Sequence, residues 1–464
     1  MNLFSLLGIF VFGFAVWLTQ GRVDPGNSSP GAFVLVLFAL FLAGFHYSDR
    51  LRFADISSLK LFLFLPIVFF GVTALLRDNL MYTSLVQNNP SLAFIGPLRW
   101  IPENSYFLYK ITLWVTVSCL ILSASINMFD LNTHFQSKWI FLLMGLFLFV
   151  LTLRVSPLPI IDVFTTNTTA TLKLLEGNNP YSIKYVDIYQ GSAGYLPSFG
   201  YLPGYFLAGI PALVLGDVRL ASVVSLLLVG FLISSEFKTS KIYGLFTASV
   251  FGCILLGGSS FYIIEQAWID PVIALVILLG ALYLRKSRFI LAGICCGVAI
   301  TIKQYAFISV ILLILFCLRK YGIKKASILT KVSVVVAVCI LFPFVAWDSP
   351  GFYDSAVAGI RNLPPRLDSL SFRSFLLLKT GLDLSSISLF LPLGFFFLYS
   401  RRIWAELVDL SGVFMVMGFI YFIIFVFSSH AFANYYYLVF LLFLFSFFFS
   451  LMGQQNDRRS EKHL

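Results

Sequence analysis

The chain has 464 residues, of which 59% are hydrophobic, 17% aromatic and only 11% charged, less than half the roughly 25% charged residues of an ordinary soluble domain. With 32 Lys+Arg and 21 Asp+Glu, it cannot cover a water-exposed surface of this size, so a soluble fold is excluded and the bilayer is the solvent for most of the chain. The net charge of +11 does not point to nucleic acid, because the basic residues fall in short clusters between apolar runs, where they orient spans. Cys119, Cys253, Cys295, Cys296, Cys317 and Cys339 all lie inside apolar segments, so neither a disulfide framework nor a zinc site is suggested.

In chain order, the run from Asn2 to Thr19 has no preceding Lys or Arg and no small-residue cleavage site after it, and reads as a retained span. Backbone polar groups cannot go unpaired in hydrocarbon, so each apolar run near 20 residues reads as a helix. This gives an all-α, polytopic bundle of about fourteen spans: 2–19, 31–47, 59–76, 106–127, 137–154, 218–234, 242–262, 266–285, 288–303, 304–319, 330–347, 384–400, 411–428 and 431–452. A further apolar run, 199–216, carries Pro203 and Pro211.

Basic clusters stay on the cytoplasmic side. Arg458, Arg459 and Lys462, then Arg401 and Arg402, then Arg319, Lys320, Lys324 and Lys325, then Arg285, Lys286 and Arg288 set a regular alternation. It places Glu265, Asp270, Lys303, Gln304 and the loop 348–383 on the external face. Counting from the other end, Arg50, Arg52 and Lys60 put the loop 155–198 outside as well. Both counts hold together when 199–216 fails to cross, which its prolines favour; the alternative is that the weakly charged loop 235–241 breaks the rule. Three parts follow: 1–136, N-terminal spans; 137–347, a module with the external loop 155–198; and 348–464, the loop 348–383 and the C-terminal spans.

Chemistry is expected where polar residues gather on the external face. Asp162 follows an apolar span closely, ahead of a Thr-rich amphipathic stretch and the turn Gly177-Asn178-Asn179-Pro180-Tyr181. A helix cap and a general base are equal readings of it. Lys303 ends the run LAGICCGVAITIKQYAF, whose Gly and Ala allow close helix packing. It reads either as a snorkelling interfacial lysine or, with Gln304, as a partner for a lipid phosphate. Asp270-Pro271 has the form of a helix N-terminus; Glu265 has no such explanation, and a metal role for the two carboxylates stays open as a weak signal, since no His accompanies them. Arg361 and Arg366 in AGIRNLPPRLDS are solvated loop charges or phosphate contacts, and His430 in SSHAFANYYY is interfacial.

The order of these pieces resembles the GT-C superfamily of integral-membrane glycosyltransferases. It is most similar to the polyprenyl-phosphate-mannose-dependent mannosyltransferases of the DUF2029, glycosyltransferase family 87, type. The matching residues are Asp162-Val163-Phe164, Gly177 to Tyr181, Tyr201-Leu202-Pro203, Gly216-Asp217-Val218-Arg219, Glu265 with Asp270, and Gly293 to Gln304. The resemblance implies a GT-C-type fold with external juxtamembrane helices and a polyprenyl-phosphate-linked sugar as donor. The sugar would be mannose or a related hexose or pentose, the acceptor a glycan or glycolipid, and no cofactor or metal would be needed. It implies a multi-pass protein of a prokaryotic inner membrane with an external active site and an inverting displacement. In that displacement Asp162 is the base, Lys303, Gln304 and Arg219, with Arg361 and Arg366, face the donor phosphate, and Tyr181, Tyr201, Glu265, Asp270 and His430 contact substrate. Two other classes stand beside this reading. An O-antigen-type polymerase or ligase would depend on the arginines of 348–383 rather than on Asp162; a secondary transporter would need broken helices in two related halves, which the sequence lacks.

Overall fold

The computed structural model describes residues 56–76, 103–129, 137–191 except 160, 194–237 except 196, 242–257, 260–384 and 390–461. The expected spans 2–19 and 31–47 lie outside the described residues, as do residues 77–102. Among the described residues the fold is helical, with no strand.

The apolar runs form helices because continuous Leu, Ile, Val and Phe with few internal breakers let every N–H find its carbonyl within the segment. In order they are α1 Ile56–Leu76, α2 Glu103–Met128, α3 Ser137–Val155, α4 Asp162–Leu175, α5 Gly204–Val214, α6 Leu220–Glu236, α7 Tyr243–Leu256, α8 Ser260–Glu265, α9 Asp270–Arg285, α10 Phe289–Ile300, α11 Ala306–Tyr321 and α12 Ile323–Trp347. Then come α13 Ser349–Tyr353, running through a π-helical turn Asp354–Ala358, α14 Phe372–Thr380, α15 Phe390–Leu398, α16 Ser400–Glu406, α17 Leu410–Val426 and α18 Ala433–Glu461.

Among the described residues, four helical stretches are both long and apolar enough to cross a membrane: Tyr106–Met128, Lys138–Val155, Ile323–Trp347 and Ala433–Met452. Shorter apolar helices of 10–17 residues include Leu220–Glu236, Tyr243–Leu256, Phe289–Ile300 and Leu410–Val426. Among the described residues the helices thus support a membrane bundle without reaching the expected count of about fourteen full spans. The 242–262 run is interrupted after Leu256 by Gly257 in an extended conformation, and the 384–400 run holds a nine-residue helix. The physical reason is that hydropathy reports apolar length and not where the helical backbone breaks.

Side-chain contacts sort the helix ends into two levels. At one end, Glu236 takes Arg285 at 3.2 Å and Lys286 at 2.8 Å, Tyr321 Oη donates to the Leu284 carbonyl at 2.9 Å, and Arg319 lies over the Trp404 ring. The basic clusters at 285–288, 319–325 and 401–402 thus share one end of the bundle. At the other end, Arg219 at the start of α6 donates to the carbonyls of Ser156 and Pro157 just past α3, and Ser182 donates to Asp348 at 2.5 Å. Tyr181 packs on Phe352 with centroids 4.8 Å apart. The stretch between α3 and α6 therefore leaves and returns at the same level. Within it α5 has 11 residues, about 16 Å of helix. Loops 155–198 and 348–383 meet at this end.

Packing explains the position of α5. The Gly204 N–H donates to the Thr301 carbonyl at 2.7 Å, and a Cβ on Gly204 would lie 2.6 Å from Thr301 Oγ1. Only glycine lets the first turn of α5 rest on the end of α10. Farther down α10, Cβ atoms on Gly293 and Gly297 would collide with Val332 and Val336 of α12, so the Gly-x-x-x-Gly stripe sets that helix crossing.

Candidate active site

The end that gathers these loops holds two charged centres joined by a layer of tyrosines. The inner centre is Asp270, fully buried. It is the first residue of α9, but its carboxylate caps no helix N–H. Instead it takes Lys303 Nζ at 3.0 and 3.3 Å, Asn434 Nδ2 at 3.1 Å and the Tyr305 hydroxyl. An isolated carboxylate or ammonium would be very costly here; each makes the other tolerable. Lys303 is 2% exposed, so the snorkelling reading fails, and its ammonium sits 5.2–5.4 Å from the ring centroids of Tyr201, Tyr305 and Tyr435.

The outer centre is Asp162, half-buried at the first turn of α4. Its Oδ1 accepts the Val163 N–H at 2.8 Å, and its Oδ2 accepts the Tyr195 hydroxyl at 2.7 Å. The Tyr189 hydroxyl approaches Oδ1 at 3.5 Å and accepts the Asp162 N–H at 3.3 Å. Burial, with the Asp162 carboxylate beside it, pushes the Tyr195 phenol well above its usual range, so it remains a donor. Asp162 bonds the N–H of the next residue without capping α4, whose N-cap position is Ile161, and it stays half-buried.

Tyr201 lies between the two centres. Its ring stacks on Tyr205 at 4.3 Å and 18° and faces Lys303. Burial, the neighbouring Tyr205 and Tyr435, and the negative charges of Asp162 and Asp270 together raise its phenol far above the ordinary value. Tyr205 Oη is tied to the Ala267 carbonyl at 3.1 Å, in a turn where Ala267 itself takes φ 58°. Tyr181 is buried, and its hydroxyl donates to the Tyr201 carbonyl at 2.8 Å. It holds the platform in place and offers no free group to a substrate.

The remaining expected residues divide. Arg219 is buried with all five guanidinium N–H groups engaged: Asp217 takes Nε and one Nη2 proton, and the carbonyls of Ser156, Glu265 and Pro157 take the rest. That geometry corrects its expected place on a donor phosphate; it staples α3, α6 and α8 together. Gln304 donates to the carbonyls of Gly200 and Ala356 at 3.1 and 3.0 Å, linking the two loops. Glu265 is fully buried. Arg361 is exposed.

Arg366 is half-buried, with Nε and Nη2 on Asp368 at 2.8 and 2.9 Å, and its charge is felt by Tyr195 and by His430. His430 donates to or accepts from Ser429 Oγ at 2.8 Å. Burial, with the positive charges of Arg366 and Arg373, lowers it to about 4, so it is neutral near pH 7.

Sequence reasoning missed Tyr189, Tyr195, Tyr205, Tyr305, Asn434 and Tyr435. A signal existed: five tyrosines crowd into residues 185–205 of an otherwise polar loop, and Asn434 with three tyrosines heads an apolar helix, where polar groups serve a neighbour rather than lipid.

No curated protein and no solved structure matches the chain. Residues 196–397 match the model of glycosyltransferase family 87, a stretch that takes in Tyr201, Asp270, Lys303 and Arg366 and begins after Asp162 and Tyr195. That match takes in the inner centre and the loop of Arg366, and over this stretch the chain is similar to the glycosyltransferases of family 87.

Proposed function

We propose that this protein is a glycosyltransferase that moves a sugar, mannose or a related hexose or pentose, from a polyprenyl-phosphate donor to a glycan or glycolipid acceptor at the non-cytoplasmic face, with inversion. The observation that carries the reading is the accessibility of Asp162 beside the tyrosine platform. Asp270 and Glu265 are fully buried, and Asp217 and Asp368 are clamped by arginines, whereas Asp162 is half-exposed. Asp162 takes the proton of the acceptor hydroxyl as its oxygen bonds to the anomeric carbon. The bond from that carbon to the phosphate oxygen breaks, its electron pair leaving on the phosphate.

The leaving phosphate needs a cation with unspent donors. Arg366 fits better than Lys303, because Lys303 is enclosed by Asp270 and three rings, while Arg366 Nη1 has no acceptor among the described residues. Arg361, exposed in the same loop, can supplement it, since developing charge is best met by fixed cations outside bulk water. Lys303 and Asp270 act as a neutral buried pair that keeps Tyr201 and Tyr205 in place. The basic clusters at the opposite end of the bundle support an external site through the bias of Lys and Arg toward the cytoplasm.

The test is transfer from radiolabelled polyprenyl-phosphate mannose to a membrane lipid extract by protein in liposomes. Asp162→Asn keeps the size and the Val163 contact but removes the proton acceptor, so turnover should fall by ~100-fold or more with the melting temperature retained. Near wild-type transfer by this variant would remove Asp162 as the base, and transfer from a nucleotide sugar but not from the lipid donor would refute the donor class.

A further inference from the structure

The loop between α4 and α5 delivers two tyrosines to one carboxylate by a specific piece of backbone. Asp187 accepts the N–H groups of Tyr189 and Gly191 at 2.9 and 2.7 Å, an aspartate turn in which Gln190 and Gly191 take φ 50° and 84°. Beyond it, Gly194 takes φ 73° and rests against Pro364, whose Cγ would be 3.7 Å from a Cβ there. The loop is thus fixed on both sides of the turn, by its own aspartate and by the Arg361–Arg366 segment.

From that geometry we propose that Tyr195 is a positioning residue for the base, holding Asp162 in the rotamer that presents one free lone pair to the acceptor hydroxyl. The proposal rests on the reading of Asp162 as base. A carboxylate at a helix start can turn freely about its Cβ–Cγ bond and offer either oxygen. Here Oδ1 is committed to the Val163 N–H at 2.8 Å and Oδ2 to the Tyr195 hydroxyl at 2.7 Å. Tyr189 is the weaker neighbour, at 3.5 Å. The other charged or titratable groups facing this carboxylate are Tyr201 and Tyr205 on the platform side and, behind Tyr195, Arg366. Fixing the reacting oxygen raises the fraction of encounters that are aligned. Tyr195 therefore acts through Asp162 and touches no reacting atom.

Two readouts separate this from a merely structural role. Tyr195→Phe removes one hydroxyl, and kcat should fall about tenfold with KM little changed. In a double-mutant cycle, Tyr195→Phe should add nothing to the loss already caused by Asp162→Asn. Should Tyr195→Phe melt early, 3-fluorotyrosine at 195, which keeps the shape and the hydroxyl, retains kcat. Wild-type kcat in Tyr195→Phe, or losses that multiply in the cycle, with Asp162→Asn itself inactive, overturns the role of Tyr195 and leaves the base standing. An active Asp162→Asn enzyme overturns both.

Discussion

Lys303 carries a charge to a place where it is 2% exposed, and its energetics are those of a pair. Removing one member of a buried pair leaves the other uncompensated, so Lys303→Met should destabilise the protein by roughly 3–5 kcal/mol. Asp270→Asn in the Lys303→Met background should recover part of that loss, a non-additivity read by thermal unfolding in detergent. Purely additive losses would show that the two side chains are independent. His430 supplies a pH prediction with the opposite logic to a paired acid. Its folded value of about 4 lies below the ordinary 6.5. Below pH 6.5 the unfolded chain takes up a proton that the folded chain refuses, so the contribution to stability is complete above that pH and is lost as pH falls toward 4. His430→Asn should flatten the fall in melting temperature between those values relative to wild type.

At the scale of elements, the short helix α5 matters more than its 11 residues suggest, because it carries Tyr205 and anchors Tyr201 through contacts at its first turn. Gly204→Ala forces a methyl to within 2.6–2.8 Å of Thr301 atoms, two of them backbone. Shifting that contact should cost about 1–3 kcal/mol and lower transfer more than Gly280→Ala or Gly394→Ala reduce it, since those positions have ordinary or open space around them and no positive φ. Equal effects at all three would show that the contact between α5 and α10 does not position the platform. The proline at 211 sits inside α5, and Gly216 beyond it takes φ 111°, a left-handed exit typical of a helix end. The following Asp217 is free to clamp Arg219.

For the whole molecule, the testable statement is sidedness. Lys184 and Lys379 are exposed at the site end and Lys324 at the basic end. In a background lacking the six cysteines, cysteines at 184 and 379 should react with an impermeant maleimide from the same side of sealed vesicles, and a cysteine at 324 from the other. Labelling of 184 and 379 from opposite sides would break the bundle topology. Labelling of both from the cytoplasmic side would keep the topology and refute the external site.

The helical class, most helix positions and the gathering of the 155–198 and 348–383 loops were legible in the sequence, because apolar run length and the placement of Lys and Arg answer directly to the bilayer. Prolines 203 and 211 likewise announced that 199–216 is not an ordinary span. Asp162, Asp270 and Lys303 could be singled out as ionisable groups beside apolar runs, but their partners could not. Asp270 finds Lys303 33 residues on and Asn434 164 residues on, and Asp162 finds Tyr195 across a loop. No local periodicity encodes such distances. The same limit made Arg219 look available for a phosphate, although folding spends every one of its donors on carbonyls and Asp217. Sequence decided which segments leave water, since that free energy is summed residue by residue; the tertiary structure alone decided which polar groups meet, since a hydrogen bond exists only once two distant segments are brought to within about 3 Å of each other.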